Sequence, residues 1–167
     1  MINNIILIIL LTMIPLLELR ASVPAGILGL EVHIPFTELT VALTPTPWPI
    51  VLIVAIIANW ILGIVLYYLM DFILRVASII PFIRKIKENI LLRAQKKIHK
   101  YVNKYGIIGL AFFIGLPLPG SGVYTGALGA YMIGMEKKHF VTASFIGVTI
   151  AGVAMTIITL TASHIFF

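Results

Sequence analysis

The chain has 167 residues, of which 60% are hydrophobic and only 11% are charged, and its formal net charge is +6. A soluble globular chain is about half apolar and about a quarter charged, so this composition excludes an ordinary soluble domain and indicates an integral membrane protein. The sequence contains no cysteine, which excludes a disulfide framework, a thiolate nucleophile and a cysteine-based metal site.

The first apolar segment predicts a re-entrant helical hairpin over residues 4–30, which enters the membrane and returns on the same side. No positive residue precedes its apolar core and no clear small-residue cleavage site follows, so we interpret it as mature protein and not as a signal peptide. Glu18 and Arg20 interrupt this run and are the only charges within the two predicted hairpins. We therefore expect the tip of the first hairpin at this E-L-R break, next to Ser22 and Pro24.

A polar loop over residues 31–47 and an apolar segment over residues 48–70 follow. As a helix the apolar segment would be roughly 34 Å long, enough to span a hydrocarbon core of about 30 Å, so it predicts a transmembrane helix. Residues 71–105 have apolar side chains at helical spacing and a strongly basic opposite face, which predicts an amphipathic helix on the cytoplasmic membrane surface. Most basic residues of the chain lie here: Arg75, Arg84, Lys85, Lys87, Arg93, Lys96, Lys97, Lys100 and Lys104.

The second half begins with a segment over residues 106–135 that contains GLPLPGSGVYTGALGAYMIG, where prolines and glycines interrupt a hydrophobic run. Positive charge accumulates on the cytoplasmic side of membrane proteins, so Lys104 and the Lys137–Lys138 pair should lie on the same side. A second re-entrant hairpin satisfies this condition, whereas the alternative, a kinked single span, does not. A final transmembrane helix is expected over residues 140–163.

The two halves are related to each other at an offset of 100 residues, because the frame V-x-x-G-x-L-G recurs at Val23/Val123, Gly26/Gly126, Leu28/Leu128 and Gly29/Gly129. Repeat 1 would cover residues 1–70 and repeat 2 residues 106–167. A single span separates the hairpins, so they should enter from opposite sides, with the termini outside and the basic segment 75–104 in the cytoplasm. The predicted fold is an all-α protein of the cytoplasmic membrane, an inverted repeat of re-entrant hairpin plus transmembrane helix. Small residues on the second return leg predict close packing at Gly126, Ala130 and Gly134.

The two predicted tips supply the candidate substrate site. Ionisable groups at membrane depth usually mark a pathway, a relay or an ion pair. Arg20 could therefore receive an anionic group while Glu18 holds Arg20 in place, exchanges a proton or binds a cation. The alternative is that both side chains merely reach an interface. At the second tip, the free N–H groups of a helix beginning near residue 121 would suit an anion. With Asn59, for which a plain interhelical contact is the alternative, the candidate substrate-binding residues are Glu18, Arg20, Ser22, Pro24, Asn59, Pro117, Pro119, Gly120, Ser121, Gly122, Tyr124 and Thr125.

No pattern in the sequence indicates catalysis or a cofactor. The histidines lack metal-ligand spacing, and no nucleophile–base pair, phosphate-binding loop or zinc motif is present, so we expect neither an enzyme nor a metal or cofactor site. Membrane lipids account for the basic charge, so no nucleic-acid partner is expected. Four membrane elements offer little interior, which predicts a homodimer or a larger assembly.

The segments ELRASVPAGI at 18–27 and GLPLPGSGVYTGALGA at 115–130 resemble the two signature segments of the putative small multidrug export proteins, a family of short prokaryotic membrane proteins. That family is similar in layout to the DedA/VTT superfamily, whose members include lipid scramblases and polyprenyl-phosphate carriers. The resemblance implies paired re-entrant hairpins and transport, with Glu18 and Arg20 matching the acidic/basic signature. One departure is that residues 106–135 lack the arginines that DedA proteins carry around the second proline motif.

Three functions are compatible with these features. The leading hypothesis is a carrier or scramblase for an anionic lipid such as polyprenyl phosphate or phospholipid, with Arg20 and the Ser121–Gly122 amides binding the headgroup. The alternative is a proton-coupled exporter of small cationic drugs, with Glu18 as the exchanging carboxylate. A third is a membrane scaffold or assembly factor that recruits partners through the basic helix.

Overall fold

The computed structural model describes residues 2–15, 17–34, 37–77, 99–118 and 120–166. In chain order its elements are α1 (Ile2–Met13), α2 (Glu18–Leu28), β1 (Glu31–His33), β2 (Thr40–Ala42), α3 (Trp48–Ala77), α4 (His99–Gly115), α5 (Val123–Met132) and α6 (Lys137–Phe166). The middle of the predicted basic helix, residues 78–98, lies outside the described residues.

Two helices are long and apolar enough to cross a membrane, over Trp48–Met70 within α3 and Lys137–Ile165 within α6. Both coincide with the segments that the sequence predicts as transmembrane helices. On α3 the outward-facing side chains are apolar and recur every fourth residue, at Ile53, Ile57, Ile61 and Val65. Such a row is favourable against lipid and costly in water. The fold is therefore mostly helical with two candidate membrane spans.

The other apolar helices are too short to cross a bilayer. α1 and the Gly106–Gly115 part of α4 each precede a break in the helix, and α2 and α5 follow those breaks. α2 packs against both α3 and α6, and α5 also packs against both of these long helices. Each short helix that follows a break therefore contacts the long helix of the other half. The lengths agree with hairpins over 4–30 and 106–135, but the re-entrant path and the inverted orientation stay predictions.

The first break lies before Glu18, and not at the E-L-R sequence where we expected it. α1 ends at Met13 and α2 begins at Glu18 itself. Pro15 explains this position, because a proline has no N–H and its ring disfavours the helical conformation of the preceding residue, Ile14. The N–H of Leu17 donates to the carbonyl of Ile14 at 3.2 Å and closes the turn. Glu18 is thereby placed in the first turn of a helix.

The polar loop 31–47 contains a short antiparallel sheet that the all-α prediction missed. β1 and β2 pair with the register Glu31↔Ala42, Val32↔Val41 and His33↔Thr40. The two central valines pack against the hydrophobic core while the flanking residues are exposed, which is the alternation expected of a half-buried hairpin. Strands this short give almost no periodic signal in the sequence.

One hydrophobic core joins the two halves of the chain. Its fully buried members include Ile8 of α1, Val23 of α2 and Val51 of α3 from the first half, with Val123 of α5 and Val148 of α6 from the second. Both halves of the chain therefore contribute to the same packed core.

Asn4 attaches α1 to the segment that precedes α3. Its Nδ2 donates to the carbonyl of Thr44 at 2.7 Å and to Oγ1 of Thr46 at 3.0 Å, in a largely buried setting. We expect Asn4→Ala to lower the melting temperature of the purified protein by roughly 3–8 °C, because a buried acceptor that loses its donor costs about 1–3 kcal/mol. Asn3→Ala is the matched control, since the neighbouring Asn3 is exposed. Equal melting temperatures for the two variants would contradict the assigned role of Asn4.

The small residues of α5 and of the turn that follows it differ in their roles. A Cβ on Gly126 would lie 2.6 Å from Cγ1 of Ile114, and Ala130 is fully buried, so close packing at these two positions is confirmed. Gly134 was expected to pack closely and does not, since a Cβ there would meet nothing within 4 Å. It has a φ of +70°, so glycine is favoured here by the left-handed turn that follows α5.

Candidate functional site

The two helix breaks lie together in space and line an open cavity of about 210 Å³, the tip cavity, to which both halves contribute. Its walls are Pro15, Glu18 and Arg20 from the first half and Gly120, Ser121, Gly122, Tyr124 and Thr125 from the second. The sequence predicted that residues of the two tips would face each other, and most of the candidate substrate residues come together here. Pro15 is the one wall residue that we missed, although its place at the end of an apolar run marks it as a helix breaker.

The turn between α4 and α5 is held by its own hydrogen bonds. α4 ends at Gly115 and α5 begins at Val123, so this break falls at the proline–glycine motif as predicted. The N–H of Ser121 donates to the carbonyl of Leu118 at 3.1 Å, and Oγ1 of Thr125 donates to the carbonyl of Gly120 at 2.8 Å. The Ser121 amide, which we expected to bind a headgroup, is thus engaged within the turn. Pro119 lies outside the described residues.

Glu18 places its carboxylate at the N-terminus of α5. The side chain is only 6% exposed, and Oε2 accepts a hydrogen bond from the N–H of Val123 at 3.3 Å and one from Nδ2 of Asn59 at 3.5 Å. A carboxylate is favourable at the positive end of a helix. A Cβ on Gly122 would lie 2.5 Å from Oε2, so only glycine allows this approach. The helix end that we predicted for a substrate anion is therefore occupied by Glu18.

The backbone of Glu18 is itself unusual. Its φ of +42° lies in the left-handed region, which non-glycine residues rarely adopt. Such a conformation costs on the order of 1–3 kcal/mol and persists where the surroundings hold it in place. Here the hydrogen bonds from α3 and α5 hold the side chain, so the strain lies at the point where the two halves meet.

Arg20 lines the same cavity but does not pair with Glu18. Its Nη2 donates to Oγ of Ser121 at 3.2 Å, and no ion pair between Arg20 and Glu18 is present among the described contacts of these residues. The Ser121 hydroxyl is directed toward the carbonyls of Leu116 and Leu118, at 2.6 and 2.9 Å. Arg20 is half-buried, and its guanidinium has further N–H donors besides the one that contacts Ser121.

Tyr124 links the tip cavity to the first helix, because its hydroxyl donates to the carbonyl of Met13. Met13 also lines an apolar groove of about 260 Å³ between α1 and α3. A residue that lines the tip cavity and one that lines the apolar groove are therefore in direct contact.

Asn59 is buried on α3, only 1% exposed, and lines a second and much smaller cavity of about 10 Å³ together with Glu18, Arg20 and Pro117. We call this the Glu18–Asn59 cavity. While Nδ2 of Asn59 donates to Glu18, no donor among the described residues reaches its Oδ1.

Ser22 and Pro24 line neither cavity. Oγ of Ser22 accepts a hydrogen bond from the hydroxyl of Thr12 at 2.8 Å and is fully buried between α1 and α2. Pro24 lies inside α2, where its missing N–H leaves the carbonyl of Arg20 without a helical donor. Both residues thus shape α2 and do not face the tip cavity.

No group of three or more histidine, aspartate or glutamate side chains that could hold a metal ion occurs in the described ranges. A family model described as "Putative small multi-drug export protein" matches residues 18–154 of the chain. No curated protein and no solved structure matches it. These comparisons do not reach the DedA/VTT superfamily, so that similarity stays a prediction.

Proposed function

Because the chain belongs to the putative small multi-drug export protein family, it is a membrane transport protein, and we propose that its substrate is an amphiphile with an anionic headgroup, such as a polyprenyl phosphate or a phospholipid. The headgroup would enter the tip cavity and the apolar chain would remain in contact with lipid. The protein would act as a carrier or scramblase.

This proposal is carried by a difference between Glu18 and Arg20, the two charged side chains of the tip cavity, in the hydrogen bonds that they form. Glu18 is buried and accepts hydrogen bonds from Val123 and Asn59. The guanidinium of Arg20 donates to one hydroxyl, that of Ser121, among the described residues, and a guanidinium has five N–H donors in all. A guanidinium binds phosphate and carboxylate oxygens through paired N–H groups. Arg20 therefore favours an anionic ligand in the tip cavity.

The apolar groove supports an amphiphile over a free anion. It adjoins the tip cavity through Met13 and Tyr124 and is lined by Ile5, Ile9, Met13, Val54, Ile57, Ala58 and Ile61. A headgroup at Arg20 would leave the attached chain next to this groove, where burial of each methylene contributes about 0.8 kcal/mol.

The test compares the wild type, Arg20→Ala, Arg20→Lys and the control Lys138→Ala in liposomes, with transbilayer movement of a labelled polyprenyl phosphate as the readout. We expect Arg20→Ala to slow movement about 10- to 100-fold, because a charged hydrogen bond contributes about 1.5–3 kcal/mol. Arg20→Lys should retain part of the rate. Lys138 is exposed at the start of α6 and lines none of the described cavities, and its loss should leave the rate unchanged.

Two results would overturn the proposal. One is a wild-type rate equal to that of empty liposomes with protein shown to be folded, and the other is an unchanged rate in Arg20→Ala.

A second candidate is the proton-coupled export of small cationic drugs, with Glu18 as the exchanging carboxylate. It is favoured by the description of the family and by the fact that Glu18 lines both cavities. Glu18→Gln separates the candidates, since it should abolish cation export while Arg20-dependent lipid movement continues.

The same proposal includes an orientation and an assembly. Basic segment 75–104 and Lys137–Lys138 would face the cytoplasm and the termini the outside of the cytoplasmic membrane, which the distribution of positive charge supports. The exposed apolar rows of α3 and α6 would contact lipid or a second copy of the chain.

A further inference from the structure

The tip cavity contains two opposite charges that do not neutralise each other. Glu18 and Arg20 both line it, yet no ion pair joins their side chains among the described contacts. The hydrogen-bond donors of Glu18 are neutral, namely the N–H of Val123 and Nδ2 of Asn59. Charges withdrawn from bulk water are normally paired with an opposite charge. The cavity therefore favours a ligand that carries both signs.

The carboxylate of Glu18 keeps one oxygen for such a ligand. Oε2 accepts the hydrogen bonds from Val123 and Asn59, whereas Oε1 accepts none from the described residues. Among fully buried side-chain atoms of these residues, Oδ1 of Asn59 is the one without a partner, so Oε1 of Glu18 keeps contact with open space. A Cβ on Gly122, another wall of the tip cavity, would lie 2.7 Å from Oε1. This oxygen is thus placed at the cavity wall.

Arg20 supplies the positive charge. Its guanidinium donates to the hydroxyl of Ser121 at 3.2 Å and has further N–H groups, which match the oxygens of a phosphate. A simple anion bound there would meet the negative charge of Glu18 in the same cavity, and like charges repel each other. A headgroup with a phosphate at Arg20 and an ammonium at Glu18 removes this repulsion.

The tip cavity also has the space and a further acceptor that an ammonium group needs. One water molecule requires about 10–15 Å³ of such space, so a cavity of about 210 Å³ holds a headgroup of several heavy atoms. The hydroxyl of Tyr124 donates its hydrogen to the carbonyl of Met13, which leaves the oxygen lone pairs as acceptors. Because the cavity is open, water can complete the hydrogen bonds of the ammonium.

We propose that the tip cavity binds a zwitterionic amino-phosphate headgroup, with its phosphate at Arg20 and its primary ammonium at Glu18. The headgroup of phosphatidylethanolamine has this chemistry. A primary ammonium offers three N–H donors to the carboxylate and the Tyr124 hydroxyl, whereas a quaternary ammonium offers none. The inference rests on the proposed function and narrows its substrate class to aminophospholipids.

The test measures transbilayer movement of three phospholipids, each labelled on an acyl chain, in liposomes that contain the full-length protein. Phosphatidylethanolamine is compared with phosphatidylglycerol, which has no ammonium, and with phosphatidylcholine, whose ammonium has no N–H. We expect the wild type to move phosphatidylethanolamine about 10-fold faster than the other two, because it alone forms the charged hydrogen bond to Glu18. Glu18→Gln should slow phosphatidylethanolamine to the rate of phosphatidylglycerol, and Arg20→Ala should slow all three.

Glu31→Gln is the matched control, since it makes the same chemical change at an exposed carboxylate that lines none of the described cavities. The preference for phosphatidylethanolamine should be unchanged in this variant. Movement of phosphatidylglycerol by Glu18→Gln shows in the same sample that the variant is folded and that Arg20 still acts.

The outcomes separate this inference from the proposed function. Equal wild-type rates for phosphatidylethanolamine and phosphatidylglycerol, both reduced in Arg20→Ala, would overturn the inference and leave the proposed function standing. A preference that survives in Glu18→Gln would also overturn it. The wild-type comparison is decisive even if Glu18→Gln does not fold. A wild type that moves none of these lipids and no polyprenyl phosphate would overturn the proposed function and the inference together.

Discussion

Gly147→Val is expected to lower the melting temperature of the purified protein by roughly 5–10 °C, because overpacking a close contact costs about 1–3 kcal/mol. A Cβ at this position on α6 would lie 2.7 Å from the main-chain carbonyl oxygen of Ala111 and 2.7 Å from Cβ of Ile114. Neither atom is the flexible end of a side chain, so the two helices must separate. Loss of the α4–α6 contact would also displace Leu116 and the turn that carries Ser121.

The control for this prediction is Gly109→Val on α4, the partner helix. A Cβ on Gly109 meets nothing within 4 Å, so the same substitution, with the same helix propensity, adds no clash. A comparable loss of stability in both variants would show that valine is unfavourable in these helices in general, and that the close approach at Gly147 is not the cause.

Glu18→Ala is expected to lower the melting temperature by roughly 3–10 °C, since it leaves buried donors without an acceptor at about 1–3 kcal/mol. The N–H of Val123 and Nδ2 of Asn59 both lose their partner, and the N-terminus of α5 loses its negative charge. Thermal denaturation of the purified protein in detergent measures this loss of stability.

Glu18→Gln and Glu31→Ala complete this experiment. The glutamine keeps a carbonyl oxygen at the same place, so we expect a smaller loss than for alanine. Glu31 is exposed in β1, and its replacement should change the melting temperature little. If Glu18→Ala were as stable as the wild type, the carboxylate would not be supporting α5, and the inter-half contact would have to be assigned to other residues.

The contacts at the tips join residues that are far apart in the chain and belong to opposite halves. Glu18 to Val123, Arg20 to Ser121 and Tyr124 to Met13 all cross the boundary between the halves. Any movement of one half against the other must break them. We expect a transport cycle to exchange these hydrogen bonds for contacts with substrate or water.

The sequence by itself determined the membrane character of the chain, the two long helices and the break before Val123. Hydrophobic runs of a given length and helix-breaking prolines act locally, so their effects can be recognised from the sequence without knowledge of the tertiary structure. The sequence also marked equivalent positions in both halves through the V-x-x-G-x-L-G repeat, and residues next to both breaks line the tip cavity. The orientation of the hairpins in a membrane stays a prediction.

Only the tertiary structure decided which partner each of these residues has. Glu18, which the sequence offered as one possible partner of Arg20, instead accepts a hydrogen bond from the N–H of Val123, 105 residues away, because α2 and α5 both pack against α3. Ser22 faces Thr12, Gly134 serves a turn, and Oδ1 of Asn59 lacks a donor in the described chain. Residue type limits what a side chain can bind, but its neighbours are set by long-range packing, which no local pattern contains.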